Sequence, residues 1–150
     1  MPVMQTNFAE DYAKGYAGME ADGELSNIIT RTLEGATDAP FGIPVYRGAA
    51  DKGCTLTVSA ALLGFAIAQK GLPVTADRPA DHYAPGDNVA IKERGKIWVY
   101  ADGACTDGAQ VYAKTATGVV SPASGSGTAA TGWFFEDTTT GPGLVRIVRR

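Results

Sequence analysis

Residues 81–102, DHYAPGDNVAIKERGKIWVYAD, constrain the fold more than any other stretch, because apolar and polar side chains alternate there between well-marked breaks. Pro85-Gly86-Asp87 reads as a turn that launches a strand, since proline presets φ and glycine accepts conformations that other residues avoid. A second break, Glu93-Arg94-Gly95, divides the run from Asn88 to Tyr100. If it is a three-residue loop with Gly95 in the left-handed region, the pattern predicts a β-hairpin in which Ile91 faces Ile97 and Val89 faces Val99. One face is then aliphatic, while the other pairs Lys92 with Lys96, Ala90 with Trp98 and Asn88 with Tyr100. A two-residue loop would instead set Ile91 beside Trp98. The first register separates the faces cleanly, and a one-residue slip would turn one strand's whole set over.

The flanking segments read the same way. Leu25 to Leu33, Ile43 to Arg47, Thr55 to Ser59, Gln110 to Lys114, Gly118 to Val120, Trp133 to Asp137 and Leu144 to Arg150 are short β-rich runs, most of them bounded by turn residues. Leu62 to Gln69 fits helix or strand; the alternation of Phe65 and Ile67 with alanines, and Gly64, favour a strand with a closely packed small face. Ser121 to Gly132 is expected as an exposed low-complexity loop. With 19 glycines in 150 residues, the chain predicts an all-β domain over residues 25–150, an antiparallel β-barrel or sandwich.

Residues 1–24 differ. Phe8, Tyr12 and Tyr16 recur at helical spacing, but Gly15, Gly18 and Gly23 each cost about 1 kcal/mol relative to alanine inside a helix. An extended N-terminal arm with Phe8, Tyr12, Tyr16 and Met19 as anchors is the better reading. These anchors either fold back on the protein's own core or order on a partner. The arm holds five acids against Lys14, a net charge of −4, which leaves the rest at about +1 in a chain of net charge −3. Neither part has the clustered cationic surface that phosphate backbones require, so nucleic acid is not an expected partner.

No membrane partner is expected either: the longest apolar run, Ala60 to Ala68, is too short to span a bilayer, and Met1-Pro2-Val3-Met4 does not open a secretory leader. Cys54 and Cys105 are the only cysteines. They have no metal-ligand spacing and read as reduced thiols, or less favourably as a disulfide pair. His82, the single histidine, has no nucleophile that the sequence nominates. Gly125-Ser126-Gly127-Thr128 lacks the lysine of a phosphate loop, and Glu136-Asp137 are adjacent on a strand and so diverge. No catalytic set, metal or cofactor is expected, and the chain does not read as an enzyme. Trp98 and Tyr100 share a face that is either covered by the arm or another strand, or exposed as an oligomer or partner patch.

The order of segments resembles the cement or decoration proteins of tailed-bacteriophage capsids. The likeness is carried by Tyr16-Ala17-Gly18-Met19, Gly64-Phe65-Ala66-Ile67-Ala68, Tyr83 to Ile91, and Gly95-Lys96-Ile97-Trp98-Val99. Gln110-Val111-Tyr112, Gly118, Trp133-Phe134-Phe135-Glu136 and Gly143-Leu144-Val145-Arg146-Ile147 continue it, so that it covers nearly the whole chain. The two cysteines and the Ser/Gly-rich loop depart from it. The resemblance implies a β-barrel or β-tulip domain with an extended N-terminal arm, in a structural protein of the virion made in the host cytoplasm and seated on the capsid exterior. It would be a homo-oligomer, a trimer rather than a dimer, bridging neighbouring major capsid proteins, with the arm at the capsid interface. A tail or baseplate module, or a carbohydrate-binding β-module with Trp98 and Tyr100 as platform, is the alternative.

Overall fold

The stretch from Asn88 to Ala101 forms one uninterrupted strand of 14 residues, so the expected hairpin does not exist. The computed structural model, which describes residues 14–150, shows why the pattern misled. Val89, Ile91, Ile97 and Val99 share the same parity and are all fully buried; a three-residue loop and a continuous strand therefore place them identically. Gly95 does have a left-handed backbone, φ 106°, and a Cβ there would lie 3.0 Å from that of Ser26. It marks the place where the strand exchanges partners rather than a reversal of direction.

Among the described residues eleven strands follow one another: β1 (Asn27–Leu33), β2 (Ala39–Pro40), β3 (Pro44–Arg47), β4 (Gly53–Thr55), β5 (Leu62–Ala66), β6 (His82–Tyr83), β7 (Asn88–Ala101), β8 (Gln110–Lys114), β9 (Val120–Ser121), β10 (Thr128–Phe135) and β11 (Gly143–Arg149). The hydrogen-bonded circuit β1-β4-β3-β5-β7 closes on itself through β1–β7. The circuit β7-β11-β10-β8-β9 closes likewise through β7–β9. The molecule is thus two five-stranded rings sharing β7, whose first half belongs to the first ring and whose second half pairs with β11. Closure leaves few free sheet edges, the usual liability of β-proteins. The all-β, barrel-like class expected from the sequence is the one observed.

Each ring has its own core. Leu33, Phe41, Val45, Leu63, Tyr83, Val89 and Ile91 fill the first. Ile97, Val99, Val111, Trp133, Phe135, Val145 and Ile147 fill the second, which also takes Phe65 from β5. Phe65 meets Trp133 edge-on, with ring centroids 5.0 Å apart at 73°, an arrangement that adds to the burial of two large rings. The small face anticipated for β5 is real: a Cβ on Gly64 would collide with the backbone carbonyl of Lys92 on β7.

Other segments differ from expectation. β10 begins inside the expected loop 121–132, because Thr128, Ala129 and Ala130 pair with Lys114, Ala113 and Tyr112, and side chains this small show no apolar period. Gly132, at φ 72°, accompanies a register shift within that pairing. The run Thr55 to Ser59 contributes only its first residue to β4, which starts at Gly53 and lies parallel to β1. The two-residue pair β2–β6 is too short to leave a pattern in the sequence. Cys54 and Cys105 are free thiols, buried in different cores.

Candidate interaction surface

Residues 14–24 run along the outer side of β7. The amide of Gly18 donates to the carbonyl of Trp98 at 2.8 Å, that of Trp98 to Met19 at 2.9 Å, and that of Ala21 to Lys96 at 3.3 Å. On the other side the amide of Ala68 donates to Gly18 at 2.8 Å, so this strap occupies the seam between β7 and the chain leaving β5. The glycines that argued against a helix are what permit the fit. A Cβ on Gly15 would lie 2.7 Å from Cδ1 of Trp98, and one on Gly18, at φ 82°, would lie 2.7 Å from the amide of Ala68.

Charge holds the strap down. Nζ of Lys92, whose side chain is 1% exposed, is 2.6 Å from the carboxylate of Glu20. Lys96 reaches Asp22 and Glu24 at 3.1 Å and Glu136 at 2.7 Å. Arg150 ties Glu24 and Glu136 together at 3.2 and 2.8 Å. Glu136, followed by Glu24 and Asp22, raises the Lys96 ammonium pKa against the opposing effect of desolvation. Glu24 is held below its ordinary range by Lys96 and Arg150. Asp22 is pushed up by desolvation, but the Glu24 amide and Lys96 outweigh that and lower it overall.

A signal for this clamp lies in the residue spacing. Acids at 20, 22 and 24 have the period of an extended chain, and the lysines at 92 and 96 share one face of a strand. The composition of the arm shows its negative charge but not the target, which is the protein's own β7.

Trp98 is half-buried beneath Gly15, with the guanidinium of Arg146 5.7 Å from its ring centre. Asp137 fixes that guanidinium at 2.6 Å and accepts the Arg146 amide at 2.7 Å. Tyr100, on the same face of β7, is 56% exposed. Tyr16 and Met19 are also exposed; the Tyr16 ring lies 4.2 Å from the Lys70 ammonium. Phe8 and Tyr12 fall outside the described residues.

The candidates for catalysis have structural roles. Nδ1 of His82 is 2.7 Å from the carbonyl of Ala80, and its Nε2 is 3.5 Å from Asp38. Glu136 and Asp137 diverge, the first to Lys96 and Arg150, the second to Arg146. Burial, with help from nearby Glu34, pushes the Cys54 thiol up to about 11, and burial also raises Cys105. Such thiols are poor nucleophiles near neutral pH. Among the described residues no cluster of three His, Cys, Asp or Glu side chains could hold a metal ion.

Comparison with known proteins gives this surface its context. A chain in "The capsid of Myoviridae Phage XM1" superposes with a TM-score of 0.72 at 13% identity, over 97% of this chain and 96% of that one, and so shares its fold. A chain in "The crystal structure of head fiber gp8.5 N base in bacteriophage phi29" gives a TM-score of 0.48 at 10% identity, over 84% of this chain and 95% of that one. No curated protein matches by sequence. The family described as "Structural cement protein (E217 gp24/Pam3 gp6)" matches residues 4–150. That span takes in both rings and the strap, and the chain belongs to this family of phage structural cement proteins, a capsid-associated structural component of the virion.

Proposed function

We propose that the protein sits on the outside of the phage head as a homo-oligomer, a trimer, and joins neighbouring major capsid subunits. The observation that carries this reading is the exposure of Tyr16, Met19 and Tyr100 beside the strap and on the outer face of β7, in a member of a cement family. Large apolar side chains grouped at a surface favour protein contacts. Residues 1–24 act as the arm in this reading. Their described part is anchored on the body, and Phe8 and Tyr12 are further candidate contacts with a neighbour. Contacts repeated by symmetry add up to high avidity, so a modest surface suffices to resist the pressure that separates capsomers. A sugar platform on Trp98 is disfavoured, since the ring is half-buried, with Gly15 packed close to its pyrrole edge and the Arg146 guanidinium 5.7 Å from its centre.

The test combines sedimentation with head binding. Purified protein is expected to sediment as a trimer and to bind assembled heads but not free capsid subunits, and Met19→Ser with Tyr100→Ser should weaken head binding at least tenfold. Equal binding to unassembled subunits would refute bridging.

A further inference from the structure

At the waist where the two rings part, beside Gly95, an open cleft of about 560 Å³ is lined by Arg47, Arg94 and Arg149 above Leu62 and Leu63. The topology brings the three arginines together from three strands. Arg47 ends β3, Arg94 sits opposite Asn27 just before the glycine, and Arg149 ends β11 opposite the glycine itself. A second cleft of about 340 Å³ shares Arg94 and Arg149 and adds Arg150 and Leu25, which is 98% exposed. Among the described residues no carboxylate pairs with Arg47, Arg94 or Arg149. Two acids line the clefts: Glu93 accepts from the side-chain amide of Asn27, and Glu24 is held by Lys96 and Arg150.

We infer that this waist is a binding site for an extended protein segment carrying at least two carboxylates beside an aliphatic side chain. Guanidinium forks match carboxylates two bonds at a time, and three of them around one cleft give a fixed direction of approach. Leu25, which is fully open to solvent, and the half-buried Leu62 supply the apolar contact that a bare polyanion would waste. A nucleic acid fits worse, because no aromatic side chain lines the clefts on which a base would stack. The inference does not rest on the bridging reading, because Arg94 and Arg149 lie at the Gly95 end of the β7–β11 pairing while Tyr100 pairs with Leu144 near its other end, and because it needs no assembled head.

The experiment titrates the isotopically labelled full chain with an acetylated, amidated hexapeptide of alternating leucine and glutamate, followed by amide chemical shifts. Saturable shifts are expected around Arg47, Arg94 and Arg149. Binding should weaken at least tenfold when glutamine replaces glutamate in the peptide, and at least tenfold for the Arg94→Gln, Arg149→Gln double variant. Should that variant fail to fold, Arg47→Gln, at an exposed position, is expected to weaken binding several-fold on its own. Absence of saturable shifts, equal affinity for the glutamine peptide, or tighter binding of oligo-dT or inorganic phosphate at the same amides would overturn the inference. Head binding is measured on the same variants. Lost peptide binding with trimers and head binding intact separates this site from the bridging surface, and peptide binding without head attachment leaves this site standing while bridging fails.

Discussion

Tyr46 and Tyr83 occupy the same half of the molecule, and both are buried, but their hydroxyls differ. That of Tyr83 donates to the carbonyl of Ile67 at 2.6 Å. That of Tyr46 has no partner among the described residues, in a residue 1% exposed, and burial pushes its pKa up to about 12. A buried polar group without a hydrogen bond costs about 1–3 kcal/mol, whereas one that is satisfied contributes about 1 kcal/mol. The same substitution should therefore have opposite signs at the two sites. Tyr46→Phe is expected to stabilise by about 1 kcal/mol, raising the midpoint by roughly 2–4 °C in a domain of this size, and Tyr83→Phe to destabilise by about 1 kcal/mol. Thermal and urea unfolding of both variants checks this, and equal losses would show that Tyr46 has an acceptor. Nothing in the sequence separates these tyrosines, because whether a hydroxyl finds a carbonyl depends on backbone brought in from elsewhere. Parity along a strand is local, which is why the burial of Val89, Ile91, Ile97 and Val99 is legible when the partner of a single hydroxyl is not.

The strap over β7 is an element whose attachment depends on ionised carboxylates. Asp22 and Glu24 have pKa values below their ordinary ones in the folded protein. Protons therefore bind the detached strap more readily, and the attachment is complete above the ordinary carboxylate range, near pH 4, and is lost as pH falls through the lowered values. Lys96, whose pKa is raised, stays charged throughout that range. Acidification from pH 5 to pH 2.5 is expected to bring water to Trp98, read as a red shift of its emission after subtracting a Trp98→Phe variant that retains only Trp133. Lys96→Met should move the midpoint of this change to higher pH, because the acids then lose the cation that keeps them ionised. A midpoint unchanged by Lys96→Met would show that packing on Trp98 by Gly15, and not charge, seats the strap. The strand beneath the strap explains the hairpin that does not form. Glu93-Arg94-Gly95 has the composition of a turn, and Gly95 does take the left-handed conformation, but β1 and β5 pair before it and β11 after it, so the chain runs on. Turn chemistry is readable; the strands that override it lie far away in sequence.

At the scale of the molecule, the sharing of β7 makes the two rings one cooperative unit, since neither closes without that strand. The strand inventory and the all-β class are legible from period and punctuation, but the circuits are not, because alternation says which face is buried and never which strand lies beside it. The placement of the strap bears on how the N-terminus can be cut. Removing residues 1–13 leaves Gly15, Gly18 and the acids at 20, 22 and 24 in place, so the strap keeps its hydrogen bonds and ion pairs to β7. Removing residues 1–20 deletes Glu20 from Lys92 and uncovers Trp98 and the seam beside Ala68. Glu20 is 47% exposed, so deleting it costs less than the roughly 3–5 kcal/mol of a fully buried pair, and water also reaches Lys92 once the strap is gone. A loss of about 2–3 kcal/mol, still in a single transition, is the expected result. Head binding by the two truncations then divides the roles of the segment. If the shorter deletion folds normally yet binds heads at least tenfold more weakly, residues 1–13 make the contact with a neighbour. Undiminished binding would instead assign the contact to Tyr16, Met19 and Tyr100, and only the longer deletion would then release the protein from the shell.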